Sequence, residues 1–516
     1  MIIQLRDSFK SYCKGQDKVL PPQETIRRAT LVLKKLSPPV LEKPKRFDKV
    51  DRIGIPITAF DFSTSQILKT YKLARPPAGK GEDHVQSQAS ALMELVERIS
   101  ASVFLHDESN FQLSSYRDIR WEKIAVKHLI SSLPGNDIKG TLIETELKKV
   151  SMGWAHSYSL TRGKNILFPL EWFILLYGSN GFAAGNSFEE AIVQGLSEFI
   201  ERYTISIITT RRLATPTIEI NSINNRLAKE LIARFNKAGI KLYVKDFSLG
   251  LAIPTIAVLA YDKKAYLEQM KIRCAAGTAI NRDAALIRAL LEVAQNRVFT
   301  LRDNQKKNWV FPNYKNLKEA DYIVSKSKII SFSKVVTYSS NNFKNEIETT
   351  VKGLEKKGYE VIVTDIMHKI LKIPAVIVTV VGLPAFLIPG ALEDIDAREL
   401  LIRRMIRTYE NKKQYLHSIK ILDAYFNLEP QERKKTALLY IYGMLNEKIK
   451  RFHVAINIFN EAVAYCRKSN QKRLSDVYKG LARCYLGEAA HKRLFKMYKK
   501  QKHILLQDNQ RNVFKQ

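Results

Sequence analysis

Ser179-Asn-Gly-Phe-Ala-Ala-Gly-Asn-Ser-Phe-Glu-Glu-Ala-Ile-Val-Gln-Gly-Leu-Ser-Glu-Phe-Ile-Glu-Arg-Tyr203 is a glycine-rich turn running straight into an amphipathic helix. Its polar residues are out of place for a surface helix. At 100° per residue Glu190, Gln194, Glu198 and Glu201 fall within about 80° of one another, one narrow stripe of acid and amide. Ile192, Val193, Leu196, Phe199 and Ile200 wrap most of the remaining circumference, which predicts a largely buried helix. Carboxylates buried in a row repel and lose hydration unless something cationic sits among them. A divalent metal ion is the economical expectation.

The same signature recurs 104 residues upstream: Ser90-Ala-Leu-Met-Glu-Leu-Val-Glu-Arg98 and Gln194-Gly-Leu-Ser-Glu-Phe-Ile-Glu-Arg202 share Leu-x-Glu-x-x-Glu-Arg in register. Glu94 and Glu97, like Glu198 and Glu201, are three apart and project from one helix face, where paired carboxylates can share a hard cation. A third helix, 282 to 301, adds Arg288, Glu292 and Gln295 at spacings of four and three. Alone, either Glu-x-x-Glu-Arg would read as a solvated face laced with ion pairs. The duplication, the apolar flanks and the third striped helix point instead to a common pocket holding Glu94, Glu97, Glu190, Glu198, Glu201 and Glu292, with Arg202 and Arg288 nearby.

Many acids beside a few arginines suit magnesium-nucleotide chemistry: carboxylates hold the metal, the metal bridges phosphates, and arginines offset the charge on the transferred phosphoryl group. The turn before Ser187 offers backbone N–H groups and the positive end of a helix. A GxxxxGK[ST] P-loop and the kinase motif set are absent. Lys80 in Gly79-Lys-Gly81 is expected as an exposed turn lysine, with a phosphate contact as the alternative; His84 and His156 are expected on the surface or satisfied.

The 516 residues, 45% hydrophobic and 9% aromatic, can build a sizeable core in two or three domains. Four cysteines, Cys13, Cys274, Cys466 and Cys484, form no CxxC pair, which argues against a zinc site or disulfide framework and fits a reducing cytoplasmic setting. Asp7 interrupts any signal-peptide pattern, and the apolar run Ile373 to Gly390 holds Pro374, Pro384 and Pro389, so it reads as buried extended chain rather than a membrane span. The net charge of +33 is concentrated: Leu401 to Gln516 carries 26 Lys/Arg against 9 Asp/Glu. Such charge admits nucleic acid, ribosome or acidic partners, although no RGG run or aromatic-interleaved basic strip is present.

Three regions are expected: a helical lead-in over 1–45 with a helix from Gln23 to Leu36, an α/β domain over 46–392, and an all-α domain over 393–516. Strands are expected near 50–60, between Trp154 and Leu176, and at 241–247, 253–261, 360–365 and 375–381, with helices at 82–102, 187–209, 225–238 and 349–358. The segment 311–335 carries no clear pattern. In the last region Gly443, Ala455, Phe459 and Ala462 match tetratricopeptide spacing, Ser418, Leu422 and Pro430 fit a preceding unit, and Ala482 with Tyr485 can open a third.

Three motifs in order, Gly79-Lys-Gly81 with the Glu94 to Arg98 helix, Ser179 to Ser187 with Glu189-Glu-Ala191 and Glu198 to Arg202, and Arg288-Ala-Leu-Leu-Glu-Val-Ala-Gln295, resemble the YcaO family over roughly residues 45 to 390. The resemblance implies an α/β fold of two pseudo-repeated halves around an ATP site, with ATP and Mg2+ as cofactors and a peptide-backbone amide as substrate. It implies that Glu94, Glu97, Glu190, Glu198, Glu201 and Glu292 hold metal. Arg202 and Arg288 would bind phosphates and, with Glu201, act catalytically, while Ala184, Asn186 and Ser187 lie at the nucleoside and Lys18, Thr25 and Arg28 add an N-terminal phosphate cluster. A nucleophile adds to the amide carbon, the oxyanion is phosphorylated, and phosphate leaves. The helical tail resembles that of stand-alone members linked to ribosomal protein S12 methylthiolation, which implies S12 and its methylthiotransferase as partners, a ribosome contact through the basic tail, and a homodimer. A Pro-x-Pro-x-Pro end, typical of azoline-forming members, is missing; Asn512-Val-Phe-Lys-Gln516 stands instead. Azoline or thioamide formation, and a non-enzymatic helical-repeat scaffold carrying a degenerate nucleotide domain, are the alternatives.

Overall fold

The computed structural model describes residues 3–15, 17–61, 66–73, 76–131, 142–251, 253–303, 311–312, 314–325, 327–383, 397–410, 413–428, 433–469 and 476–484. The chain divides into two compact units, 1–113 with 120–134 and 152–393, and 114–119 with 135–151 and 394–516. The segment before residue 45 belongs to the first unit.

In chain order come α1 (Pro22–Leu33), β1 (Lys45–Arg46), β2 (Ile57–Ala59), α2 (Gln66–Thr70), β3 (Ala78–Lys80) and α3 (His84–His106). Next are β4 (Gln112–Ser115), α4 (Val126–Ser131), α5 (Leu142–Leu147), β5 (Ser151–Ser159), β6 (Lys164–Phe168), α6 (Leu170–Tyr177), β7 (Phe182–Ala184) and α7 (Phe188–Arg211). They are followed by β8 (Thr217–Ile218), α8 (Arg226–Lys237), β9 (Lys241–Asp246), β10 (Thr255–Tyr261), α9 (Glu268–Lys271), β11 (Ile272–Thr278) and α10 (Arg282–Asp303). The first unit closes with α11 (Asp321–Val324), β12 (Ile329–Ile330), α12 (Phe343–Glu355), β13 (Glu360–Asp365) and β14 (Ala375–Val381).

The class is α/β. One sheet runs β11-β10-β9-β8-β12, a second contains β5-β13-β14-β7 with β6 on β5, and a small one is β1-β2-β3. Every residue of β14, Ala-Val-Ile-Val-Thr-Val-Val, is buried, as a continuous β-branched run predicts for a central strand. β11 is also buried throughout, and α8 and α10 pack a core of Phe235, Leu290, Val258 and Val293 over this sheet.

Some elements depart from the pattern reading. Leu170–Tyr177, expected within a run of strands and turns, is a helix started by Pro169; an apolar run has no period to separate the two, and a proline at the start favours the helix. β11 escaped the pattern because Cys-Ala-Ala-Gly offers little β-branched signal. The unassigned stretch holds α11 and β12, and α12 starts at Phe343, six residues before the expected helix. Pro384 and Pro389 lie outside the described residues.

The second unit is helical: α5 with α13 (Ala397–Glu410), α14 (Tyr415–Leu428), α15 (Thr436–Lys448) and α16 (Phe452–Ser469). Gly443 sits under the Phe459 ring, where a Cβ would come within 2.6 Å of it, and Ala455 and Ala462 are fully buried beside it. Glu146 on α5 is buried and accepts from Lys149 Nζ at 2.7 Å and from the Tyr409 hydroxyl, and His417 Nε2 lies 3.1 Å away. Pro430 and Tyr485 lie outside the described residues. No described helix is long and apolar enough to cross a membrane. Cys13, Cys274 and Cys484 are free thiols.

Candidate functional site

Three strand–turn–helix units build the site, β3–α3, β7–α7 and β11–α10. Each helix is capped by a side chain four positions after its strand's penultimate residue. Asp83 accepts from Gln86 N at 2.8 Å, Ser187 Oγ from Glu190 N at 3.1 Å, and Asn281 Oδ1 from Asp283 N at 2.7 Å. Such caps satisfy helix donors that otherwise lack partners. The first and third units share a close approach of strand to helix. A Cβ on Gly79 would sit 2.0 Å from Ser87 O and 2.3 Å from Ala91 N, and one on Gly277 would sit 2.3 Å from Ala285 O and 2.6 Å from Ala289 N. The offsets are the same in both, so the units are in register.

That register extends through the functional faces. Glu94, Glu198 and Glu292 are equivalent; so are Glu97, Glu201 and Gln295; so are Arg98, Arg202 and Asn296; so are Ser90, Gln194 and Arg288. All twelve line one cavity of about 390 Å3. The two-copy repeat legible in the sequence is therefore a three-copy device, its last copy disguised by amides in place of one acid and one arginine.

Of the sequence-expected residues, Lys18, Thr25, Ala184, Asn186, Glu190, Arg202 and Arg288 line this cavity with the other five glutamates. Arg28 and Ser187 stand behind its wall. Arg28 Nη1 donates to the Asn186 carbonyl at 3.1 Å, and Ser187 Oγ lies 2.7 Å from Ser8 Oγ. Thr25 Oγ1 donates to Asn186 Oδ1 at 3.3 Å, and Asn186 Nδ2 donates to Glu190 at 3.2 Å. Glu190 also accepts from Val19 N at 2.8 Å and pairs with Lys18 at 3.4 Å. The N-terminal segment thus closes over the start of α7. His84 pairs with Asp48 at 3.6 Å, and His156 is exposed.

Charge at the wall is divided among pairs. Glu94 accepts from Ala78 N at 2.8 Å and from Arg98. Arg202 lies 3.6 Å from Glu198 and 3.5 Å from Glu201, and Glu201 accepts from Thr278 N at 3.1 Å. Arg288 donates to Gln194 at 2.9 Å. Lys80 binds Glu292 and, at 3.3 Å, Gln295; it is a strand residue at the cavity wall, where the Gly-Lys-Gly pattern suggested an exposed turn. Burial raises Glu201 to about 7, against the pull of Arg202 and Arg288 and with help from Glu292 and Glu198. Burial likewise raises Glu198. Burial also works on Glu292, but Lys80, Arg202 and Arg288 together carry it below the usual carboxylate value.

Among the described residues no three Asp, Glu, His or Cys side chains are already gathered into a metal-binding cluster, since the carboxylates are turned to these partners. The donor set nonetheless fits Mg2+: hard oxygens from three helices face one space, and Glu198 and Glu201 are left with less positive charge than burial requires. Lys80, Gln86, Arg98, Asn296 and Arg302 also line the space and were not among the expected site residues. Register with the third helix is the signal that would have found Asn296. A second cavity of about 770 Å3 is lined by Lys10, Asp17, Glu82, Asp283 and Glu346. A gap of about 40 Å3 shares Lys18, Glu190 and Arg288 with the first and Asp17 and Glu346 with the second.

A family model described as YcaO cyclodehydratase, ATP- and Mg2+-binding, matches residues 78–384. A protein of Methanothermobacter thermautotrophicus described as uncharacterized is 28% identical over 356 residues, 65% of this chain and 88% of that one. The ribosomal protein S12 methylthiotransferase accessory factor YcaO of Escherichia coli is 29% identical over 206 residues, 36% of this chain and 35% of that protein. Among solved structures, YcaO from Methanopyrus kandleri bound with AMPPCP and Mg2+ is similar with a TM-score of 0.56 at 19% identity, over 75% of this chain and 99% of that one. A heterocyclase in complex with substrate and cofactor gives a TM-score of 0.60 at 21% identity, over 78% of this chain and 57% of that chain.

Proposed function

The chain belongs to the YcaO family of ATP-dependent enzymes, with ATP and Mg2+ as cofactors, and from that premise we propose that it activates a peptide-backbone amide by phosphorylation. The observation that carries the reading is the convergence of six glutamates with Lys18, Arg202 and Arg288 on one cavity. Glu94, Glu97, Glu190, Glu198, Glu201 and Glu292 would hold Mg2+, while Arg202, Arg288 and Lys18 would orient the phosphates. Ala184 and Asn186 would face the nucleoside, with Ser187, Thr25 and Arg28 fixing Asn186 in place. Bound MgATP supplies a phosphoryl group that makes an amide oxygen a leaving group once a nucleophile has added to the carbonyl carbon.

The favoured setting is accessory to β-methylthiolation of ribosomal protein S12, on the likeness to the Escherichia coli factor. The helical unit would then serve as a tetratricopeptide-type, basic docking module for the methylthiotransferase or ribosome, in a homodimer. Azoline or thioamide formation is the second reading, favoured by the family description as cyclodehydratase and by the short span of the Escherichia coli match. Calorimetry with ATP and Mg2+ should show binding that Glu201→Ala or Arg202→Ala removes while circular dichroism stays native. Absence of binding to the unmodified protein returns the scaffold reading. Mass spectrometry of S12 from a deletion strain then separates the settings: intact methylthiolation eliminates the S12 role.

A further inference from the structure

In each of the three units the glutamate at the equivalent position has one close cation, but the third unit obtains its cation differently. Arg98 serves Glu94 and Arg202 serves Glu198, each from the next turn of the same helix. In the third unit that turn carries Asn296, which has no charge, and Lys80 reaches Glu292 from β3 of the first unit, 212 residues away in sequence. The same ammonium donates to Gln295, which stands where the other two units have Glu97 and Glu201. The third acidic site therefore has neither an arginine at the next turn nor a second carboxylate, although Arg288 one turn earlier and Arg202 also act on Glu292, and one lysine bridges the Glu292–Gln295 pair.

An arginine four residues from its glutamate is held by the helix itself and presents a planar fork. A lysine is a point charge on a flexible stem, and the Lys80 and Glu292 side chains keep 24% and 20% of their exposure, so the pair can part without unwinding either element. We infer that Lys80 is a displaceable counter-cation: it holds the Glu292–Gln295 position until a divalent ion takes it, and so ties metal binding to nucleotide binding. The inference rests on the magnesium-nucleotide reading above. The physical reason is competition. An ammonium and a divalent ion cannot both sit on one carboxylate without repulsion, so metal alone must expel Lys80 into a cavity where other cations already stand. A polyphosphate in the same cavity gives the expelled ammonium a new anionic partner, and the cost of displacement falls. Each ligand then raises the affinity of the other by the same factor.

The test is binding of Mn2+, as the probe of the magnesium sites, to the full-length protein with and without AMPPCP, followed by electron paramagnetic resonance. In the unmodified protein AMPPCP should tighten Mn2+ binding about tenfold or more. In Lys80→Met, Mn2+ alone should bind about tenfold tighter than to the unmodified protein, and the gain from AMPPCP should shrink correspondingly. Lys80→Arg keeps a cation in place, so its Mn2+ affinity without nucleotide should be no tighter than that of the unmodified protein. Unchanged or weaker Mn2+ binding by folded Lys80→Met overturns the inference while leaving the nucleotide reading intact. If Lys80→Met does not fold, tighter nucleotide-free Mn2+ binding by Lys80→Arg overturns it. An unmodified protein that binds neither probe overturns both.

Discussion

Glu201 on α7 and Glu146 on α5 are both buried glutamates, 6% and 1% exposed, yet their surroundings drive them in opposite directions. Around Glu146, a lysine, a tyrosine hydroxyl and a histidine overcome the effect of burial and hold the carboxyl below its usual value. Around Glu201, burial wins over Arg202 and Arg288, and neighbouring Glu292 and Glu198 add to it. A carboxylate that serves the fold is surrounded by donors until its charge is settled. Glu201 is left short of positive charge, which the metal proposed for this site would supply.

Exchanging each residue should break the two cases apart. Glu201→Ala should lower ATP-dependent activity more than about 100-fold, since it would remove a carboxylate proposed to hold the metal that offsets phosphoryl charge, while the thermal midpoint holds or rises; loss of the fold would contradict its assignment to binding. Glu146→Ala strands the Lys149 and Tyr409 donors and removes the carboxylate that faces His417, and should cost the helical unit about 3 kcal/mol, read as faster hydrogen exchange in α13 and α14.

Titration sharpens the same contrast through opposite slopes. Because Glu201 is raised from 4.5 to about 7, the stability it contributes to the metal-free protein is complete below pH 4.5 and is lost as pH climbs through about 7, a change of about 3 kcal/mol at most. Glu146 lies below 4.5, so its contribution is present above that pH and lost on acidification. Chemical denaturation followed unit by unit from about pH 2 to about pH 8 should show both trends, and saturating Mg2+ at neutral pH should erase the first. The smallest effects concern two glycines. Gly277→Ala drives a methyl into backbone atoms that cannot move aside and should cost about 2 kcal/mol. Gly443→Ala meets a side-chain ring rather than backbone, the buried Phe459 that also lies against Gly480, and should cost about 1 kcal/mol, recovered in part by Phe459→Leu.

Much of the site was legible because buried acids at helical spacing have few innocent explanations. Glu94, Glu97, Glu198 and Glu201 declared themselves through a repeated Leu-x-Glu-x-x-Glu-Arg, and the third helix through Arg288, Glu292 and Gln295. The threefold register stayed hidden because Gln295 and Asn296 erase the Glu-Arg signature, Gln295 as an isostere of the glutamate and Asn296 as a shorter, uncharged side chain on the same helix face. Lys80 departs from the exposed-turn expectation for a local reason: glycines on both sides suggest a turn, whereas at Gly79 the missing side chain admits the backbone of α3 against an edge strand. The long strands β13 and β14 stood out by β-branched content, and β11, built of small residues, did not. Nothing local in residues 6–19 reveals that they contact α7, since those partners are set by the tertiary fold.

Ser8 N binds the Asn342 side chain, 334 positions later, and Lys10 N binds the Asn341 carbonyl. On the ribosome, residues 8 and 10 must wait for a segment made several hundred residues afterward before they can dock. Until then the start of α7 lacks its Val19 and Lys18 contacts to Glu190. A nascent chain would therefore hold all three acidic helices and still have an incomplete cavity, so competence to bind nucleotide should arrive late in synthesis, in a single step, with the closing of this long loop.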